Sequence, residues 1–212
     1  MNYLIADLYK TRQCHRSQEM VVLENDQVSD NPVPGNKSKK GLDLFWKLAR
    51  AKQEKQIIDW SSKILQNVSK GIMDTNFVLE KLISSLAGSD TSSKTSYFVC
   101  LTELMRQAKP EFATVSQMME PALRPAGAVS KGEEANFLMA RLLVITAALR
   151  AEMDISIKEK SEIINHLGDI SSSRSYMNLP AIKLCVEHFL PEEDLLDLIK
   201  TKFPIDADNL DL

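Results

Sequence analysis

Histidine, cysteine, glycine and proline are all scarce in this chain of 212 residues, and each scarcity removes a class of function. Three histidines, with no strained nucleophile turn, nominate no Ser/His/Asp or Cys/His catalytic arrangement. Cys14, Cys100 and Cys185 are odd in number and far apart, which fits neither a disulfide framework nor a zinc ribbon and suits a reducing compartment. Glycine and proline are few, leucine, lysine and glutamate recur, and no stretch alternates with period two long enough for a strand, which points away from β-rich folds. Positive charge is not in excess either. A net charge of -3 and a pI near 5.7 exert no global pull on phosphate, so any nucleic-acid contact needs a local basic face. No uncharged run reaches the roughly 18 residues of a membrane span. The apolar patch Tyr3 to Leu8 is broken by Asp7 and follows no basic region, so no secretory signal is expected and the address is cytosol or nucleus.

What the chain has is helical periodicity. The longest apolar-rich run, Lys131 to Arg150, places Phe137, Leu138, Leu142, Leu143, Val144, Ile145, Ala147, Ala148 and Leu149 nearly around a helical wheel. Such a helix must be enclosed by others. Before it, apolar stripes run through Leu42 to Leu48, Gln56 to Lys70, Phe77 to Leu86 and Tyr97 to Met105, and a shorter helix with Phe112, Val115 and Met118 lies between Pro110 and Pro121. Gly71 reads as a C-cap, and Asp74 or Thr75 as an N-cap. After it come Ile157 to Leu167, stopping at Gly168 with the serines 171–173 as loop, then Ala181 to Leu190 with Ile182, Val186 and Phe189 inward, and Glu192 to Lys202.

Helix pairs recurring about every 40 residues predict an all-α, HEAT/armadillo-like helical-repeat solenoid of antiparallel helix pairs, with a closed bundle as the competitor. The expected division is a mostly disordered segment over 1–40, a repeat domain over 41–203 and an acidic flexible tail over 204–212. Lys37, Lys39 and Lys40 read as solvated linker or as part of a nuclear import signal. The last helix carries Leu195, Leu198 and Ile199, which a chain ending there would expose.

Three constellations imitate chemistry. Gly88 to Thr95 resembles a phosphate-binding P-loop, but Ser93 stands where the second glycine is needed and the loop follows a helix instead of a strand, so it reads as an inter-helix loop capping the next helix. Asp206, Asp208 and Asp211 lack the glycine and the ligand at Leu210 of a calcium loop and read as a frayed tail. Cys185 and His188 share a helical face without a second ligand pair and read as a core thiol beside a partly exposed imidazole. Lys47, Arg50, Lys52, Lys55, Lys63 and Lys70 form the most basic grouping, a solvated face or the candidate contact for nucleic acid or an acidic partner. No catalytic residue, cofactor or metal is expected.

Four blocks in order carry a family resemblance. They are Gly41-Leu-Asp-Leu-Phe-Trp-Lys-Leu-Ala49, then Phe77 to Leu86, then Lys94 to Tyr97 leading into Leu101-Thr-Glu-Leu104, and finally Lys131-Gly-Glu-Glu134 leading to Ala140-Arg-Leu-Leu143. They resemble the N-terminal portion of the Myb-binding protein 1A family, also called DNA polymerase phi or, in fungi, DNA polymerase V; Ala140 departs from its usual glycine. The resemblance implies a non-enzymatic helical-repeat scaffold of nucleus and nucleolus, active in ribosomal RNA gene transcription and ribosome biogenesis. It also implies transcription factors or ribosome-assembly proteins as partners, with DNA or RNA beside them, and no membrane or small-molecule substrate. A cytosolic HEAT-type adaptor is the alternative. Family members are several times longer and end in basic tails, so the chain corresponds to a shortened or N-terminal part.

Overall fold

The computed structural model describes residues 37–88, 91–125, 127–190 and 192–203, all within the unit that begins at Gly35. The disorder expected over 1–40 therefore lies, up to residue 36, outside the described residues, as do Cys14, His15 and the tail 204–212 with Asp206, Asp208 and Asp211.

Every regular element among the described residues is helical. In chain order these are α1 (Lys37–Arg50), α2 (Glu54–Ser69), α3 (Thr75–Gly88), α4 (Thr91–Ala108), α5 (Phe112–Ala122), α6 (Lys131–Arg150), α7 (Ile157–Ser173), α8 (Asn178–Phe189) and α9 (Glu193–Lys202), with a 3-10 turn, Ser175–Met177, before α8. The all-α class expected from the periodicity is the observed one. Helix α1 begins at Lys37, ahead of the Gly41 start expected for the repeat domain, so the backbone of Lys37, Lys39 and Lys40 is helical.

The ends of the helices follow local chemistry. Gly71 holds φ 67, its N–H donates to Val68 O, and that of Ile72 donates to Asn67 O. This is a Schellman close, and only a residue without Cβ enters that backbone region at no steric cost. Asp74 Oδ1 accepts from Phe77 N at 2.9 Å and starts α3. Helices α6 and α7 each begin with a capping box: Ser130 with Glu133, and Ser156 with Glu159.

In those boxes the Ser130 amide and hydroxyl donate to Glu133 at 2.9 and 2.8 Å, and the Ser156 hydroxyl and amide donate to Glu159 at 2.6 and 2.9 Å. These bonds hold both carboxyls below the ordinary carboxylate range. Each therefore binds its proton more weakly folded than unfolded. Its stabilisation is full above the unfolded value near about 4.3 and disappears as pH falls through the lower folded value. Glu133→Gln and Glu159→Gln should accordingly melt below the parent chain at neutral pH and converge on it in acid, measured as melting temperature against pH. A constant offset down to low pH would contradict this.

Helix α6 sits at the centre, packed against α3, α4, α5, α7 and α8. Its second half is enclosed: Ala140, Leu142, Val144, Ile145, Ala147, Ala148 and Leu149 are buried, and the three alanines let neighbouring helices approach. The enclosure is less complete than the apolar wheel suggests, because Phe137 and Leu138 are half-buried and residues 131–134 are exposed. Arg141, an interruption in the sequence pattern, has a defined task. Its Nε donates to Leu123 O at 3.3 Å, just past the end of α5, and its Nη2 meets Glu120 Oε2 at 3.3 Å. A carbonyl left over at a helix end is thus satisfied by a charge on the neighbouring helix.

Several expectations are corrected. Gly168 does not stop α7, which continues to Ser173. A Cβ at Gly168 would meet Lys202 Cβ at 3.1 Å, so the glycine permits the close approach of α9. The expected serine loop 171–173 is helical, with Ser172 Oγ and Ser173 Oγ donating to the carbonyls four residues back. Helix α4 starts at Thr91, inside the expected inter-helix loop Gly88 to Thr95. In α5 the buried methionine is Met119, with Met118 half-buried, and Pro121 falls within the last turn. On α8 Val186 points outward while Ala181, Leu184, Cys185 and Phe189 are buried. Leu195 and Ile199 are covered against the rest of the fold and Leu198 is half-buried, whereas Leu179 and Val186 on α8, and Leu190 just after it, are exposed.

Candidate functional site

The basic grouping lies on α1, the following loop and α2. Helix α1 is amphipathic: Phe45 and Leu48 enter the core, while Trp46, Lys47 and Arg50 face out. The end of α1 is pinned from two sides. From α4, Ser93 Oγ donates to Ala49 O at 2.8 Å and Ser96 Oγ to Ala51 O at 3.3 Å. From α2, Gln56 Oε1 accepts from Lys52 N at 3.3 Å. Two carbonyls that helix termination leaves without partners thus become the anchor for α4. The anchoring sets Arg50 and Lys52 beside the first turn of α4, forming a groove of about 310 Å³ lined by Trp46, Ala49, Arg50, Lys52, Ser92 and Ser93.

Each tryptophan carries cations. Arg50 Cζ lies 5.7 Å from the Trp46 ring centroid. Lys63 Nζ and Lys47 Nζ lie 4.2 and 5.2 Å from that of Trp60. Such contacts are worth about 0.5–1 kcal/mol at exposed sites, enough to orient a side chain and too little to hold a helix. Lys47 also pairs with Asp43 at 2.5 Å. Among the described residues Arg50, Lys52, Lys55, Lys63 and Lys70 form no ion pair.

Of the six candidate residues, the structure gathers Lys47, Arg50, Lys52 and Lys63 around the two indoles and the groove. It does not gather all six. Lys55 lies in the first turn of α2 and Lys70 at its C-cap, about 22 Å apart along the axis at 1.5 Å per residue. Both tryptophans fall within the apolar stripes Leu42 to Leu48 and Gln56 to Lys70, which the periodicity alone would turn toward the core. Trp46 is 64% exposed and Trp60 half-buried. The signal was present: Trp46 and Arg50 are spaced i, i+4 and Trp60 and Lys63 i, i+3, which places each cation over its ring on one helical face.

Thr91 to Thr95 form the opening turns of α4, so the P-loop imitation is helical from Thr91 on. Lys94 Nζ donates to Asn136 Oδ1 at 2.7 Å, and partial burial lowers its pKa. Cys185 is buried while His188 lies half-buried with its ring 6.4 Å from Phe189. Burial pushes both described thiols, Cys100 and Cys185, up to about 12, so neither is a thiolate at neutral pH. Ser61 Oγ has no partner at hydrogen-bond distance, yet stands close enough to Cys100 to oppose part of that shift. Among the described residues no group of three His, Cys, Asp or Glu side chains could hold a metal ion, and no helix is long and apolar enough to cross a membrane. Comparison with protein-family models, with curated proteins and with solved structures finds no match to this chain.

Proposed function

We propose that the chain is a HEAT/armadillo-like helical-repeat scaffold, non-enzymatic, acting in nucleus and nucleolus in ribosomal RNA gene transcription and ribosome biogenesis. Its partners are transcription factors or ribosome-assembly proteins, with DNA or RNA beside them. The observation that carries this reading is where the Myb-binding protein 1A-like blocks fall. They lie on α1, α3, α4 and α6, and α4 packs against the other three. The buried side chains Leu48, Leu82, Leu101, Leu104, Ala140 and Leu142 come from those blocks, so the resembling segments form one connected core. The repeat architecture is supported by locality: every substantial contact joins helices no more than three places apart in chain order, as stacking of successive units requires.

Localisation of a tagged copy, made from the complete transcript, tests the reading. Nucleolar signal that disperses when ribosomal RNA synthesis is inhibited is expected. Exclusion from nucleus and nucleolus would replace the reading with a cytosolic HEAT-type adaptor. Template-dependent nucleotide incorporation by the purified chain, persisting after Asp206 and Asp208 are changed to alanine, would overturn the non-enzymatic part.

A further inference from the structure

We infer that the face built by α1 and α2 binds single-stranded nucleic acid, with a base stacked on Trp46 and the adjoining phosphate held by Arg50 and Lys52 in the groove beside α4. The inference does not rest on the nuclear reading, and either can fail while the other stands.

Charge is the first ground. Between Lys37 and Lys70 the chain carries nine lysines and arginines against three acids, although its total is -3. Positive charge is concentrated in this segment while the remainder is acidic, so a polyanion arriving at the protein is steered to one side of it. Arg50, Lys52 and Lys63 have no carboxylate partner among the described residues. A phosphate therefore meets them without an ion pair first having to break.

The indoles are the second ground, and they decide between partners. Both tryptophans of the chain lie in this basic segment. Trp46 is left 64% exposed at the lip of the groove, with the Arg50 guanidinium 5.7 Å from its ring centroid. A large exposed aromatic ring flanked by a cation is a stacking platform for a base, which presents a flat π-face whatever its sequence. An acidic peptide would be satisfied by the cations alone and leaves the exposed indole unexplained. A duplex offers phosphates, but its bases are already stacked on one another and their faces are closed to Trp46. At about 310 Å³ the groove has room for a phosphate, at the lower end of small-ligand sites.

Intrinsic fluorescence reads this face directly, because the chain has two tryptophans and both are here. The full chain is titrated at low salt with a short oligo-dT and a short oligo-U, and with a duplex carrying the oligo-dT strand. Trp60→Phe leaves Trp46 as the sole tryptophan, read with excitation beyond tyrosine absorption. Quenching by both single strands, and weaker binding of the duplex, are expected. Trp46→Ala should lower affinity for the single strands about tenfold, read by anisotropy of a labelled strand, with the melting temperature unchanged. Arg50→Ala and Lys52→Ala should each weaken binding and flatten the logarithmic salt dependence by about 0.7. Lys158→Ala, exposed on α7, should bind like the parent chain. Absence of single-strand binding at low salt would overturn the inference, as would a preference for the duplex or a Trp46→Ala variant with parental affinity. Capture of an acidic peptide through Arg50 and Lys52 without single-strand binding would overturn it too, and would assign the face to a protein.

Discussion

Leu142→Asp is expected to abolish the cooperative thermal transition of the chain. Leu142 is 5% exposed and belongs to the half of α6 that other helices enclose. A carboxylate there must be buried as an ion or accept a proton to stay, and either costs several kcal/mol in addition to about 2 kcal/mol of lost apolar burial. The adjacent Arg141 gives no rescue, because it is committed to Leu123 O and Glu120 at the end of α5. A domain of this size has a net stability of only about 5–15 kcal/mol, so one such change consumes much or all of it. Lys131→Ala, by contrast, alters an exposed residue in the first turn and should leave the melt within about 0.5 kcal/mol. Circular dichroism melts of the two variants make the comparison, and a Leu142→Asp chain melting near the parent would show that the core is elsewhere.

Phe112→Ala is expected to cost about 3–5 kcal/mol and Phe77→Ala less than about 1.5 kcal/mol. In the sequence the two are equivalent, each heading an apolar stripe. In the structure Phe112 is 1% exposed and Phe77 is 45% exposed. Truncating Phe112 at the first residue of α5 leaves a cavity that the close neighbours cannot fill. Phe77 loses chiefly its edge contact with Phe45, whose ring centroid is 6.5 Å away at an interplanar angle of 81°. Chemical denaturation with an unchanged slope separates the variants, and equal losses would contradict the assigned facing of α3.

Helix ends were legible wherever a local chemical signal marks them. The limits of α6, Lys131 to Arg150, the αL turn at Gly71 and the Asp74 cap all depend on residues within a few positions of the boundary. Facing was less legible, because it depends on helices distant in the chain. Val186 and Leu184 are both apolar on the same helix, and only the position of α8 against α7 and α6 decides that Leu184 turns in. Gly168 misled for the same reason: its missing Cβ serves the approach of α9 some thirty residues on, where a Cβ added at 168 would come within 3.1 Å of Lys202 Cβ. For the candidate site, the positive charges were visible as composition. The groove was not, since it depends on Ser93 and Ser96 reaching back to the end of α1 across more than forty residues.

The short reach of the interhelical contacts also bears on how the chain acquires its fold. Since substantial contacts link only helices within three places of one another, few long loops must close before packing begins, and the entropic barrier to the first productive collision is small. Contacts of this reach favour early local packing, and no late event has to join the two ends of the described unit. Nucleation can begin wherever two or three adjacent helices meet, with the segment from α3 to α6 the best placed, since it holds the most mutually buried helices and can form during synthesis before α7 to α9 are made.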